Sequence, residues 1–233
     1  MKPFNPFKTY CLVLLLIAFT AHCNAKNLPE MPSKACNISK SKYAMTASDQ
    51  CKFLWFRVAK VGTRSFLSIF SEANIPLSLN CDSQYYDKGK YKDYFKFAFV
   101  RNPWDRVVSC YCNKVTNKAH RAFAECFDKD FEYFVDFINR QDLAKADRHI
   151  RLQVKLFPMD EVDFIGRFEN FEVDLKHVLN IIGIDSTKKI PQNNPSKHMH
   201  YSHYYNERTK KIIAKKYKPD IKAFNYAFEN EIQ

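Results

Sequence analysis

Two short polar stretches carry the residue types that grip an anion. One is Lys60-Val61-Gly62-Thr63-Arg64-Ser65; the other runs from Arg101 through Asn102, Pro103 and Arg106 to Ser109. In the first, Lys60 and Arg64 supply charge, Thr63 and Ser65 supply hydroxyls, and Gly62 lets the backbone pass close to a bound group. It lacks the two framing glycines and terminal Lys-Ser/Thr of a Walker loop. In the second, Arg101 stands where a strand ends and the unpaired N–H groups of a helix begin, a favourable place for an anion. Two such places about forty residues apart suit a ligand with two separate phosphate groups. His149 reads either as a structural histidine or as a residue of general-base type, whose ring Asp147 two positions earlier could orient.

The elements that hold these residues follow from periodicity. Phe95, Phe97 and Phe99 alternate with Lys96, Ala98 and Val100, the period of a strand with one buried face. Pro103 suits the first turn of a helix, and Trp104, Val107, Val108 and Tyr111 then fall on one helical face. Upstream, Phe53–Val58 is a β-prone run, followed after the polar loop by a helix with Phe66, Leu67, Ile69 and Phe70 on its apolar side. Residues 74–93 read as a loop region. Phe131, Phe134, Val135 and Ile138 form a helical core stripe, Val162–Ile165 a short strand, and Phe171–Ile182 a helix closed by Gly183. Asn206–Tyr217 reads as a basic amphipathic helix stopped by Pro219, with Lys210, Lys211, Lys215 and Lys216 on a solvated face.

Composition bounds the rest. The 233 residues suffice for one sizeable α/β domain, and 46% hydrophobic with 15% aromatic residues excludes a disordered chain. Only 4 glycines argue against a glycine-rich dinucleotide loop, and a net charge of +12 calls for a polyanionic partner. Lys2 and Lys8 precede an apolar run from Cys11 to Ala21, then Cys23-Asn24-Ala25. Residues 1–25 therefore read as a signal peptide, with a short Golgi-type anchor as the alternative, 26–50 as a stem, and 51–233 as a single domain. Routing into the secretory pathway (Golgi lumen or membrane, or secretion) removes nucleic acid as a partner and leaves acidic glycans and lumenal nucleotides. Cys36, Cys51, Cys81, Cys110, Cys112 and Cys126 predict up to three disulfides, and Asn37-Ile38-Ser39 is a glycosylation sequon. The histidines of the 198–203 stretch have no carboxylate or cysteine beside them to complete a ligand set, so no metal is expected.

The two stretches together resemble the paired nucleotide-binding loops of Golgi carbohydrate sulfotransferases, in particular the chondroitin 4-sulfotransferase-like and HNK-1 sulfotransferase-like branch. The second loop is similar to that family's Arg-x-Pro-x-x-Arg-x-x-Ser form at Arg101, Pro103, Arg106 and Ser109. The resemblance continues through residues 146–153 (ADRHIRLQ), 163–184 with its Arg167-Phe168-Glu169 core, and 204–226. It departs at Ile150, where the family has Trp, and at two absent cysteines near residues 156–162.

That resemblance implies a P-loop-like sulfotransferase fold, a central, mostly parallel sheet flanked by helices. It implies 3′-phosphoadenosine 5′-phosphosulfate as sulfuryl donor, no metal, and an acidic glycan acceptor, a glycosaminoglycan or a glycoprotein glycan. Lys60, Val61, Gly62, Thr63, Arg64 and Ser65 would hold the 5′-phosphosulfate, with Lys60 on the bridging oxygen. Arg101 and Ser109 would hold the 3′-phosphate, Arg167 would lie beside the nucleotide, and His149 would be the base. The alternative expectation is a secreted, inactive relative that binds glycans.

Overall fold

A computed structural model describes residues 38–185 and 199–231. The expected leader, Cys36, the Asn37 sequon and His198 lie outside the described residues. Five strands form one sheet: β1 (Ile38–Ser48), β2 (Phe53–Phe56), β3 (Leu79–Asp87), β4 (Phe95–Val100) and β5 (Phe164–Arg167), in the order β3-β1-β2-β4-β5. The helices are α1 (Thr63–Glu72), α2 (Pro103–Cys110), α3 (Phe131–Arg140), α4 (Phe171–Ile181), α5 (Glu207–Lys216) and α6 (Lys218–Phe224). No helix among the described residues is long and apolar enough to cross a membrane.

The α/β class holds, with one refinement of the sheet. β2, β4 and β5 run parallel, but β1 is antiparallel to both β2 and β3, so two of the four pairings are antiparallel. The expected stem and loop regions supply those two strands. β1 begins within residues read as a stem, and β3 within residues read as a loop. β3 is an edge strand with most of its side chains exposed, and β1 lies inside it, exposed over Lys40–Lys42 and buried from Met45 to Ser48.

The central strands are buried on both faces, not one: Lys96, Ala98 and Val100 are as enclosed as Phe97 and Phe99. Lys96 tolerates this because its ammonium donates to the carbonyls of Tyr94 and Tyr91 at 2.9 and 3.4 Å. An aromatic core fills the space between sheet and α1, with Trp55 and Phe66 rings 4.4 Å apart and Trp55 stacked near-parallel on Phe97. A second cluster, built on Val107, Val108, Phe123, Phe134, Ile138 and Tyr217, anchors α2, α3 and α5. Pro219 does not end the helical region. It occupies the first turn of α6, where its missing N–H is not needed.

The five cysteines among the described residues are free thiols, which corrects the disulfide expectation for them. Cys110 and Cys126 pack inside the second cluster as small apolar side chains.

Candidate active site

Because β2 and β4 are parallel neighbours, the loops that follow them leave the same edge of the sheet. This is the edge at which open α/β sheets bind ligands. In the first loop Gly62 adopts φ 84°, and a Cβ there would lie 2.8 Å from the Phe171 ring. Lys60 also lies on the left-handed side, at φ 77°, a conformation that costs a non-glycine residue about 1–3 kcal/mol.

The mouth of α1 is open. Ser65 and Phe66 N–H groups turn back onto the Gly62 carbonyl at 2.9 and 3.3 Å, and no side chain among the described residues caps the helix. The N–H groups of Thr63 and Arg64 therefore face outward without an intrahelical acceptor. The half-buried Lys60 ammonium beside them makes no ion pair among the described residues. Burial pushes it down to about 8; the Cys110 thiol opposes that shift, while the charges of Arg101, Lys114 and Arg64 add to it. Ser65 is buried in the first turn and Arg64 is exposed.

The mouth of α2 is closed, contrary to the sequence expectation. Asn102 N–H donates to Glu169 Oε1 at 2.6 Å, Trp104 N–H to the Asn102 side chain at 3.1 Å, and Pro103 has no N–H. Arg101 is turned inward and only 4% exposed. Its guanidinium grips Asp105 through two bonds of 2.7 and 2.9 Å, donates to the Lys60 carbonyl at 3.1 Å, and lies over the Phe168 ring. Arg101 thus ties the second loop to the first. Ser109, one turn further along α2, is buried, and its hydroxyl makes no hydrogen bond within the described residues.

Arg106 joins a third segment to these two. Fully buried, it donates to the carbonyls of Ala59, Arg151 and Arg148 at 3.1, 2.8 and 2.8 Å. The last two flank His149, so one guanidinium fixes the distance between Lys60's loop and the histidine. His149 Nδ1 lies 2.7 Å from Asp147 Oδ1, and the Asp147 second oxygen is 3.5 Å from His120 Nε2. Burial opposes ionisation of Asp147, but the hydrogen bonds from His149 outweigh it and hold the carboxyl down at about 2. Asp147 is then an acceptor only, so Nδ1 carries the proton and Nε2 keeps its lone pair. Burial also lowers the His149 pKa below its ordinary 6.5, which keeps the ring neutral near pH 7.

Arg167 braces the fold from this position: it donates to the Phe224 carbonyl at 2.5 Å and lies over Tyr226. Two residues at the site carried no signal in the sequence. Lys114, on a π-helical turn (Tyr111–Val115) that continues α2, adds its charge to the surroundings of both Lys60 and His149. His120 packs edge-on against His149 with centroids 4.9 Å apart. His120, Asp147 and His149 offer ligand atoms all within 4.8 Å of one another, a cluster with the composition of a metal site.

The profile of the Sulfotransferase family matches residues 43–227. The chain belongs to that family. The chain is 27% identical over 150 residues to carbohydrate sulfotransferase 11 of Rattus norvegicus and of Mus musculus, covering 52% of this chain and 43% of theirs. The match thus spans less than half the length of those relatives. An uncharacterized protein of Archaeoglobus fulgidus is 31% identical over 103 residues, 42% of this chain and 74% of its own. Among solved structures, a sulfotransferase from Alicyclobacillus acidocaldarius is 17% identical, covers 58% of this chain and 54% of its own, and superposes with a TM-score of 0.29.

Proposed function

We propose that this sulfotransferase moves a sulfuryl group from 3′-phosphoadenosine 5′-phosphosulfate to a hydroxyl of a glycan, with chondroitin or a related glycosaminoglycan as the acceptor class. One observation carries the reading: an ammonium without a counter-ion among the described residues, Lys60, beside the uncapped N-terminus of α1. An anionic phosphosulfate fits both features. The scheme is metal-free, and it uses the His120–Asp147–His149 cluster as a hydrogen-bonded relay.

Sulfuryl transfer parallels phosphoryl transfer: in-line attack, a loose transition state, and charge gathering on the leaving oxygen. His149 Nε2 accepts the proton of the attacking hydroxyl, while Asp147 steadies the imidazolium that forms. The new bond is acceptor oxygen to sulfur, and the bond that breaks joins sulfur to the bridging oxygen. Lys60, at about 8, is charged near pH 7 yet acidic enough to give a proton to that oxygen as it leaves. Thr63 and Arg64 N–H groups and the Ser65 hydroxyl bind the 5′-phosphate, and Ser109 with the free N–H groups of Arg101 takes the 3′-phosphate. Lumenal location in the secretory pathway is part of the same reading and rests on the leader-like residues 1–25.

Incubation with radiolabelled donor and a panel of glycosaminoglycans tests it. Label is expected on one glycan, lost by about 10²–10³-fold in Lys60→Ala, the scale of removing one group that stabilises developing charge. Donor binding without transfer to any glycan would favour the inactive relative. Absence of both would refute the reading.

A further inference from the structure

A pocket of about 240 Å³ opens beside the candidate site, on the side of β1 and β3. Lys42, Arg57 and Asp82 line it from the sheet, and Asp147, Arg148 and Arg151 from the segment that carries His149. Pockets for drug-sized ligands run about 300–1,000 Å³, so this one suits a single sugar ring or less. Four cationic and two anionic side chains form its wall, and one of the two carboxylates, Asp147, is committed to His149.

Arg57 is the informative member. It is 9% exposed, yet its Nε–H is buried and has no acceptor among the described residues. A buried donor left unpaired costs about 1–3 kcal/mol, and such groups in folded proteins point to a missing partner. Arg57 Nη2 donates to Asp82 Oδ1 at 2.7 Å, and Arg148 Nη1 holds the same oxygen at 2.8 Å. Two guanidinium groups therefore converge on one carboxylate, whose own side chain is 68% exposed on an outer strand.

We propose that this pocket is a subsite for a carboxylate on the acceptor sugar, with Arg57 and Arg148 as its ligands and Asp82 as a resident carboxylate that the incoming one displaces. The inference deepens the glycan-sulfation reading and rests on it for the identity of the ligand. Three features support a carboxylate. The two arginines already hold one, Arg57 has a donor to spare, and Asp82 reaches water by a side-chain rotation. Asp147, which holds His149 Nδ1, and Arg148 both line the pocket, so its wall borders the segment that carries His149. The competing explanation is a surface salt-bridge triad with no ligand.

Calorimetry on the full chain separates the two. The protein is first titrated with 3′-phosphoadenosine 5′-phosphate. It is then titrated with an unsulfated hexasaccharide of alternating hexuronate and N-acetylhexosamine, and with its carboxyl-reduced twin. The acidic sugar is expected to bind at least about ten-fold more tightly than the twin, the lower end for a charge-assisted hydrogen bond. Arg148→Ala should weaken the acidic sugar by a similar factor and leave the twin unchanged. Asp82→Asn, which removes the competitor, should tighten the acidic sugar. Both positions are partly or largely exposed, so folding is not at issue. Equal binding of the twins, binding of neither, or weakening by Asp82→Asn would overturn the proposal. The first titration reports on the donor site alone: a chain that binds the acidic sugar but not the bisphosphate would fail the sulfation reading and keep the pocket.

Discussion

Replacing Lys60 by Met should make the protein more stable and lower its turnover by about 10²–10³-fold. Burial lowers the Lys60 ammonium from its ordinary 10.5 to about 8. At about 1.36 kcal/mol per unit, folding around the charged form costs on the order of 3 kcal/mol. Lys60 is half-buried and partly screened by water, which trims this to about 2 kcal/mol. Met keeps the length and apolar stem of lysine, and both residues suffer the same positive-φ strain, so that contribution cancels. The sign follows from proton counting. Between about 8 and 10.5 the unfolded chain holds a proton on Lys60 that the folded chain has released, so wild-type stability rises with pH across that window. The full cost is present below about 8. The variant should therefore lead by about 2 kcal/mol near pH 7, or roughly 4–8 °C in Tm for a domain of this size, and the lead should shrink by more than half near pH 10. Urea unfolding of both proteins at the two pH values measures it. A variant less stable than wild type, or a lead that ignores pH, would refute the picture of an uncompensated cation and make Lys60 a structural partner.

Asp147→Asn leaves the ring packing in place but can present a donor to His149 Nδ1, selecting the wrong tautomer. Turnover should fall about 10²–10⁴-fold, the span of a lost general base, while calorimetric affinity for the bisphosphate product stays unchanged. Gly62→Ala places a methyl group 2.8 Å from the Phe171 ring at φ 84°, and urea unfolding should show a loss of about 1–3 kcal/mol. Ser109→Ala should weaken bisphosphate binding with Tm unchanged, whereas Arg101→Ala should weaken it and also lower Tm, because Arg101 ties the two loops together.

The chemistry-bearing junctions were legible because their signals are local. Alternating phenylalanines mark β4, Pro103 marks the first turn of α2, and Gly62 marks the tight passage before α1. What escaped was set by distant pairing. β1 reads as a polar stem, since Lys40, Ser41 and Lys42 face water, and only its neighbours β2 and β3 make it a strand. The closed mouth of α2 escaped for the same reason: the carboxylate that fills it, Glu169, is 67 residues from the backbone it caps. Arg167 and Arg101 carry the expected residue types, but their hydrogen-bond partners were invisible, and those partners decide whether an arginine braces or binds.

The second loop is completed by residues made long after it. Gln153 extends β4 by pairing both ways with the Arg101 backbone at 3.0 and 2.9 Å, and Asp220 in turn holds the Gln153 N–H at 2.8 Å. Asn102 donates to the Ala227 carbonyl across 125 residues, and Tyr226 donates to Glu169, which caps the same loop. A chain emerging from the ribosome at about 5–20 residues per second has residues 95–110 free for several seconds or more before 220–227 exist. During that interval the sheet and its aromatic core can form while the second loop stays unfinished. Newly made protein therefore gains its framework before its second loop is fastened, and a chain broken near residue 217 would keep much of the core while losing the fasteners of that loop.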